Sequence, residues 1–468
     1  HVSGVMSMLK EHDSYIQTAL DIGVSIFSGE AEGRLGQVLI DAVNDKLEPI
    51  YNFLDDLPNI ENVAMPLLPS ERIRLTAGST TSFDAGRGCP FTCSFCTIIN
   101  VQGQKSRQRS IQSIENIIRD NVKQGLSSFF ISDDDFARNK NWESILDKFI
   151  ELREVHKLKI SFTIQVDTLC HNLPGFIEKS GRAGVKRAFI GLENINPDSL
   201  LGASKRQNKI TDYRAMLLAW KKVGVITCCG YILGFPSDTQ ESILRDIEII
   251  KKELPVDLLE FFYLTPFPGS EDHKKLHIAG VAMDEDLNMY DANHPVTVHP
   301  KMSKKNWEEA CYKAWEAYYT YEHSETLIKR AMATGTSPSK TIGLITWFKG
   351  CIHIEKVHPL EGGFFRRKSR KDRRPTLPLE SPFIFYPKYF LEIIWKHFCW
   401  TLLVIRMRLV CKRVRNDPKN REYMDLSLEP VIEKETETLE LFQSESAKKF
   451  VEKQNRFEKM RHSLSRST

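Results

Sequence analysis

Between Thr81 and Leu264 short apolar runs alternate with longer segments of helical period, at a spacing of about 30 residues, which predicts βα units and a parallel sheet. Strands are expected at Ser82 to Gly86, Ser128 to Ser132, Ile160 to Gln165, Arg187 to Leu192, Val225 to Leu233 and Leu258 to Leu264. Amphipathic helices lie between them, with one apolar face each: Ile111, Ile114, Ile118 and Val122; Ile145, Leu146, Phe149 and Ile150; Met216, Leu217 and Trp220; Ile243, Leu244, Ile247 and Ile250. The pattern stops near Pro266 after six units, a partial barrel or open sheet rather than the eight units of a closed barrel.

Upstream, a strand at Gly23 to Phe27, the tight Ser28-Gly29-Glu30 and a helix near Leu35 to Asn44, apolar at Leu35, Val38, Leu39 and Val43, read as the back half of an αβ domain. Pro66 and Pro69 mark a linker, and a new unit begins near Arg72. Downstream comes an irregular stretch, Phe267 to Ser303, then a helix from Lys304 to about Glu322 with Trp307, Cys311, Trp315 and Tyr318 at core spacing. From Gly343 the chain turns aromatic and basic, with seven Lys or Arg within Arg366 to Arg374. It ends in a highly charged segment, apolar only at Leu439, Phe442, Phe450, Phe457 and Met460, that reads as a solvated helix or a disordered tail. The domain expectation is therefore 1–70, 71–275, 276–342, 343–430 and 431–468.

Composition narrows the class. Apolar residues are 41% and charged residues 27% of 468, and 65 Lys+Arg against 61 Asp+Glu leave +4, which excludes wholesale disorder and a strongly basic nucleic-acid coat. No run approaches the length of a spanning helix, and no signal peptide opens the chain, which starts His1-Val2-Ser3 and reads as a fragment or processed product. Three of the ten cysteines crowd into eight residues and the others are scattered, the usage of a reducing, cytoplasmic compartment.

The crowded three carry the chemistry. Gly86-Arg87-Gly88-Cys89-Pro90-Phe91-Thr92-Cys93-Ser94-Phe95-Cys96 places thiols at CxxxCxxC spacing in the turn after the first strand, where open α/β sheets gather ligands. Three soft thiolates suit iron–sulfur or zinc. A structural zinc site requires a fourth ligand, and His156 and Cys170 lie on other elements, so one metal position stays open.

With Phe95 just before the last thiol, these residues resemble the radical S-adenosylmethionine (SAM) enzymes. The resemblance implies a (βα)6 partial TIM-like barrel and a [4Fe-4S] cluster on Cys89, Cys93 and Cys96 whose open iron chelates SAM. It further implies reductive cleavage of SAM to a 5′-deoxyadenosyl radical acting on an unactivated carbon. It makes Asp133 and Asp134 of Ser132-Asp133-Asp134-Asp135 contacts for the SAM amino group, in place of the family's glycine-rich motif. Gln165 and Glu193 become SAM-contacting strand ends, Gly230 and Gly234 the close backbone near the adenine, and Lys205 and Arg206 partners for the carboxylate. His1 to Gly4 and Ser28 to Glu32 resemble the distal half of the Rossmann-like cobalamin-binding domain that precedes many members, read here as truncated because its Asp-x-His-x-x-Gly segment is not in the sequence. Thr265 to Ser270 resembles the exit motif of that subgroup. Cobalamin-dependent C-methylation is thus expected, with oxidation, rearrangement or cyclisation as alternatives.

The C-terminal region is expected to be mostly α. A small, hydrophobic substrate, a flavodoxin- or ferredoxin-like electron donor and peripheral membrane contact through the basic-aromatic region are the expected partners, and no nucleic acid is expected. No catalytic residue is assigned. Asp284, Asp286, Asp291, His294 and His299 match no compact ligand pattern and read as a loop near the substrate mouth. The rival reading, a non-catalytic iron–sulfur or zinc protein acting as electron carrier or scaffold, requires a fourth ligand from Cys170, Cys228 or Cys229. A third, RNA methylthiolation, requires a basic-aromatic RNA-binding appendage.

Overall fold

Six strands, all parallel and in sequential order, form the sheet on which the rest of the chain is built. The computed structural model describes residues 2–8, 14–363, 368–373, 377–432 and 434–465. The strands in chain order are β1 (Ile26–Ser28), β2 (Ile50–Asn52), β3 (Thr80–Phe83), β4 (Gly86–Arg87), β5 (Arg107–Gln108), β6 (Ser128–Ile131), β7 (Ser161–Val166), β8 (Val185–Glu193), β9 (Ile226–Leu233) and β10 (Leu258–Tyr263). The main sheet runs β10-β9-β8-β7-β6-β3, with its two edge strands unpaired to each other. It is an open α/β sheet of six strands.

All eight residues of β9 are buried, as an inner strand covered on both faces requires, whereas β7 alternates and turns Phe162, Ile164 and Val166 to the helices. Phe129 and Phe162 oppose each other across β6 and β7 with ring centres 5.7 Å apart, and Phe149 of the Trp142–Glu154 helix stacks on Phe162 at 4.1 Å. The helices begin where the sequence supplies caps: Ser110 accepts from the Ser113 amide, and Thr239 and Ser242 form a reciprocal pair at the start of Gln240–Glu253.

An open sheet leaves an edge, and side chains cover it here. The Tyr319 hydroxyl accepts from the Leu259 amide at 3.1 Å and donates to the Leu259 carbonyl at 2.9 Å, while His358 Nε2 lies 3.0 Å from the Phe261 carbonyl. The edge backbone of β10 is thereby occupied at two successive outward positions.

Three expectations change. The first strand ends at Phe83, and Gly86–Arg87 belongs instead to a separate antiparallel ladder with β5. The Leu35–Val43 helix buries none of its residues, Leu35, Leu39 and Val43 being exposed and Val38 half-buried. The terminal segment is docked rather than free: Leu439, Leu441 and Phe442 are buried, Glu253 accepts from the Glu440 and Leu441 amides, and Arg214 binds Glu435 at 2.7 Å together with the Leu426 and Glu429 carbonyls. A buried guanidinium with its donors satisfied holds irregular chain that composition alone assigns to solvent. Side chains of Phe457 and Met460, and residues Arg366, Arg367 and Arg374 of the basic run, lie outside the described residues.

Candidate active site

The thiols sit on one loop, closed at its base by the two-rung β4–β5 ladder at the carboxyl end of β3. Gly88 begins it at φ +92°, and a Cβ there would meet the Lys105 carbonyl, so the turn requires glycine. The Cys89 amide donates to the Gly103 carbonyl, the Cys96 amide to Cys93, and Asn100 to the Gly269 carbonyl at 2.8 Å. Ser94 donates its amide to Ala203 and its hydroxyl to Asp272, whose own amide returns to Ser94. Loop segments after β8 and β10 therefore hold the middle of the cysteine loop.

Asp133, at the carboxyl end of β6, clamps the base. Its Oδ1 accepts from the Ala85 and Gly86 amides at 2.6 and 3.0 Å and its Oδ2 from Asn139 at 2.9 Å. Burial pushes this carboxyl up to about 7 against those three hydrogen bonds. Its oxygens face the loop entrance, so Asp133 shapes the loop in this structure. Gln165 joins the same corner, donating to the Asp133 carbonyl at 3.3 Å. Asp134 is half-buried and lifted to about 6 by burial, and Asp135 is raised by burial and by Asp167 beside it.

On the other side, Glu193 sits at φ +63° where the β8–β9 register shifts, and its carboxylate pairs with Lys205 at 2.5 Å. The ammonium lies 5.7 Å from the Phe95 ring centre. Burial opposes the charge on Lys205, but Glu193 and then Cys93 outweigh it and hold the ammonium above its ordinary range. Cys93 is buried and accepts from Gln207 Nε2 at 3.4 Å. Burial, with Cys93 nearby, lifts Cys89 to about 12 and Cys96 to about 11, the latter against the pull of Lys205.

Phe95, Glu193 and Lys205 are thus brought together beside the thiols, and Asp133 with Gln165 beneath them. The two glycines are accounted for by protein rings: a Cβ at Gly230 would meet Phe189 at 2.9 Å, and one at Gly234, φ +100°, would overlap the Trp307 indole. Sequence reasoning passed over Gln207 and Asn208, which donates to the Gly191 and Leu192 carbonyls at 2.8 Å. The polar run Lys205 to Asn208 was the available signal. It also passed over Arg87, which reaches Asp84, Glu30 and Glu32 at 2.7, 2.6 and 2.5 Å.

A sequence profile of the radical SAM superfamily matches residues 84–250, the span that contains the loop and most of the sheet. Residues 84–250 form a radical SAM domain. The chain is 25% identical over 340 residues to the bacteriochlorophyllide d C-8(2)-methyltransferase of Chlorobaculum tepidum, covering 69% of the chain and 71% of that relative. To the bacteriochlorophyllide d C-12(1)-methyltransferase of the same organism it is 26% identical over 259 residues, 53% of the chain and 54%, or about half, of that relative. Among solved structures it is similar to the cobalamin-dependent S-adenosylmethionine radical enzyme OxsB, at 13% identity over 91% of this chain and 68% of that one, with a TM-score of 0.47.

The radical SAM domain implies a [4Fe-4S] cluster and SAM as cofactors, and the donor set fits the cluster. Among the described residues no three His, Cys, Asp or Glu side chains converge on a single metal ion. Thiols spread along a loop suit a multi-iron cluster, one thiolate per iron. The fourth ligand of the rival reading does not arrive. Cys170 is buried beside Trp220 and Asp167, Cys228 lies against Glu260, and Cys229 near Asp257 and Lys221.

Proposed function

We propose that Cys89, Cys93 and Cys96 hold the cluster with one iron left for SAM, and that the enzyme methylates a carbon of a small, largely apolar molecule. The observation that carries this is the three-thiol loop at the carboxyl end of β3, within the matched radical SAM domain. When bound, the cluster would supply the electron that cleaves one SAM to methionine and a 5′-deoxyadenosyl radical, and the methyl group would come from a second SAM.

The chain's own residues set the conditions for that step. Lys205, its charge fixed by Glu193, offsets negative charge next to Cys93 and Cys96. Gln207 donates to one of the thiols, the kind of bond that tunes iron–sulfur centres. Asp133 and Asn139 fix the loop base, so the three thiols keep one arrangement. An apolar cavity of about 540 Å³ opens at the ends of β9 and β10, walled by Ala203, Phe235, Leu264, Leu276 and Trp307, and shares Asp272 and Ala203 with the loop's anchors. It is the place for an apolar ligand body away from water.

The methyltransferase assignment rests on the named activities of both Chlorobaculum relatives. Cobalamin joins the proposal as a third cofactor of the intact protein, on the resemblance of the β1–β2 unit; residues 14–60 contain no His, so no axial ligand is assigned there.

Anaerobic incubation with SAM and dithionite tests the reading. The reconstituted chain is expected to release 5′-deoxyadenosine, and Cys89→Ala, Cys93→Ala and Cys96→Ala are each expected to abolish it. Release by any of the three at the parent rate would overturn the ligand assignment.

A further inference from the structure

The Pro382–Asn416 helix carries two apolar faces. Trp400, Leu403, Met407, Cys411 and Val414 repeat at three- and four-residue steps and are buried against the protein, the Pro338–Gly350 helix among their neighbours. Leu391, Ile394, Phe398, Leu402, Ile405 and Leu409 repeat at the same steps on the opposite side and are 39% to 66% exposed. Trp395, 64% exposed, widens this stripe, and Phe383, 91% exposed, continues it toward the helix start. A helix that meets only water on its outer side carries polar residues there, and an exposed apolar stripe this long marks a contact surface.

Charge decides what the stripe contacts. The helix has seven Lys or Arg and one Glu. Arg406 and Arg413 border one side of the stripe, and Arg408, Lys412 and Arg415 the other. The lone Glu392 is half-buried and engaged by Lys368 and Lys396, so it leaves the outer face without a carboxylate among the described residues. Among the described residues Arg413 alone of the flanking cations reaches an acid, Glu325.

A cleft of about 650 Å³ between this helix and Pro338–Gly350 adds a second feature. Arg408, Lys412 and Arg415 line it with Ser339 and Thr346 over an apolar floor of Ile342 and Val404, and no acidic residue lines it. Arg415 donates to the Ser339 hydroxyl at 3.3 Å. Three cations and two hydroxyls above an apolar floor suit a phosphate joined to an acyl chain.

We propose that this outer face seats the enzyme on the surface of an anionic phospholipid bilayer, the helix lying in the interface plane with its stripe among the acyl chains and its cations at the headgroups. No helix among the described residues is long and apolar enough to cross a membrane, which fits an in-plane helix. The aromatic residues at its start suit the headgroup boundary. A second copy of the chain is the competing occupant, but packing stripe on stripe would bring together two helices of the same strong positive charge. The proposal stands independently of the catalytic reading.

Vesicle flotation of the full chain tests it, with phosphatidylcholine vesicles and with phosphatidylcholine–phosphatidylglycerol mixtures at low and high salt. The protein is expected to float with the mixed vesicles at low salt and to be released by high salt. Ile394→Ser/Phe398→Ser/Leu402→Ser and, separately, Arg408→Glu/Lys412→Glu/Arg415→Glu are each expected to weaken flotation by about tenfold or more. Both sets lie outside the packed face, and unchanged melting shows that the fold survives. Failure of the parent chain to float, flotation by both variants at the parent level, or a stripe-dependent dimer that ignores vesicles would each overturn the proposal.

Discussion

The Arg87 guanidinium lies 2.6 Å from the Glu30 carboxylate, and so ties the turn after β1 to the base of the cysteine loop. Arg107, on the facing rung of the loop's ladder, reaches the same carboxylate, and Glu32 and Asp84 complete the set around Arg87. These side chains are mostly buried, so removing one partner leaves charges unpaired at a cost of about 2 kcal/mol.

Glu30→Ala is therefore expected to lower the melting temperature and, by loosening the loop base, to reduce the iron retained per chain after anaerobic reconstitution. Arg87→Lys is expected to fall between, since one ammonium cannot face three carboxylates as a guanidinium does. Full iron content in Glu30→Ala would show that the loop is held without this tie.

Glu260 predicts a pH dependence of stability. It is buried on β10, with the Cys228 thiol 3.5 Å from one oxygen and His358 Nδ1 3.9 Å from the other. Burial lifts its carboxyl to about 7, against the pull of Cys228 and Arg187. The folded state thus keeps a proton that the unfolded chain releases above about 4.5, and stability falls as pH rises from about 4.5 to about 7, by about 3 kcal/mol at most. Glu260→Gln removes this loss. Its melting temperature is expected to match the parent near pH 4.5 and to exceed it at pH 8, whereas parallel curves would contradict the assignment. His358, which burial pushes down to about 4, titrates in both proteins and cancels.

Gly350 and Trp400 supply a packing test. A Cβ at Gly350, a helical position, would fall within the Trp400 indole, whose Nε1 donates to Glu355 at 2.9 Å. Gly350→Ala is expected to cost about 2 kcal/mol by overpacking, and much less in a Trp400→Leu background. Denaturant unfolding of the four proteins checks this, and additive effects would contradict it.

The sheet and the thiols were legible because they depend on local pattern. Alternation and apolar runs place β6 to β10 within a few residues, and Cys89, Cys93 and Cys96 declare themselves by spacing. What was not legible depends on partners far along the chain. Nothing near Phe83 says that Asp133 will draw the Ala85 and Gly86 amides out of the strand. Nothing near Glu30 announces Arg87, and the charged end of the chain docks only because Arg214 and Glu253 wait for it on helices that flank the sheet. In the Leu35–Val43 helix, apolar spacing predicted a buried face that the described chain does not cover. Gly230 and Gly234 read as room for a ligand; Phe189 and Trp307 stand beside them, and Gly234 also lines the apolar cavity.

The central claim is that three thiols hold a cluster with one iron open to SAM. Low-temperature EPR of the anaerobically reconstituted, dithionite-reduced chain tests it most directly, recorded with and without SAM. The account predicts a [4Fe-4S]+ signal whose g values shift when SAM is added, and which Cys96→Ala lacks. A cluster indifferent to SAM, or a protein that takes up zinc and no iron, would contradict it.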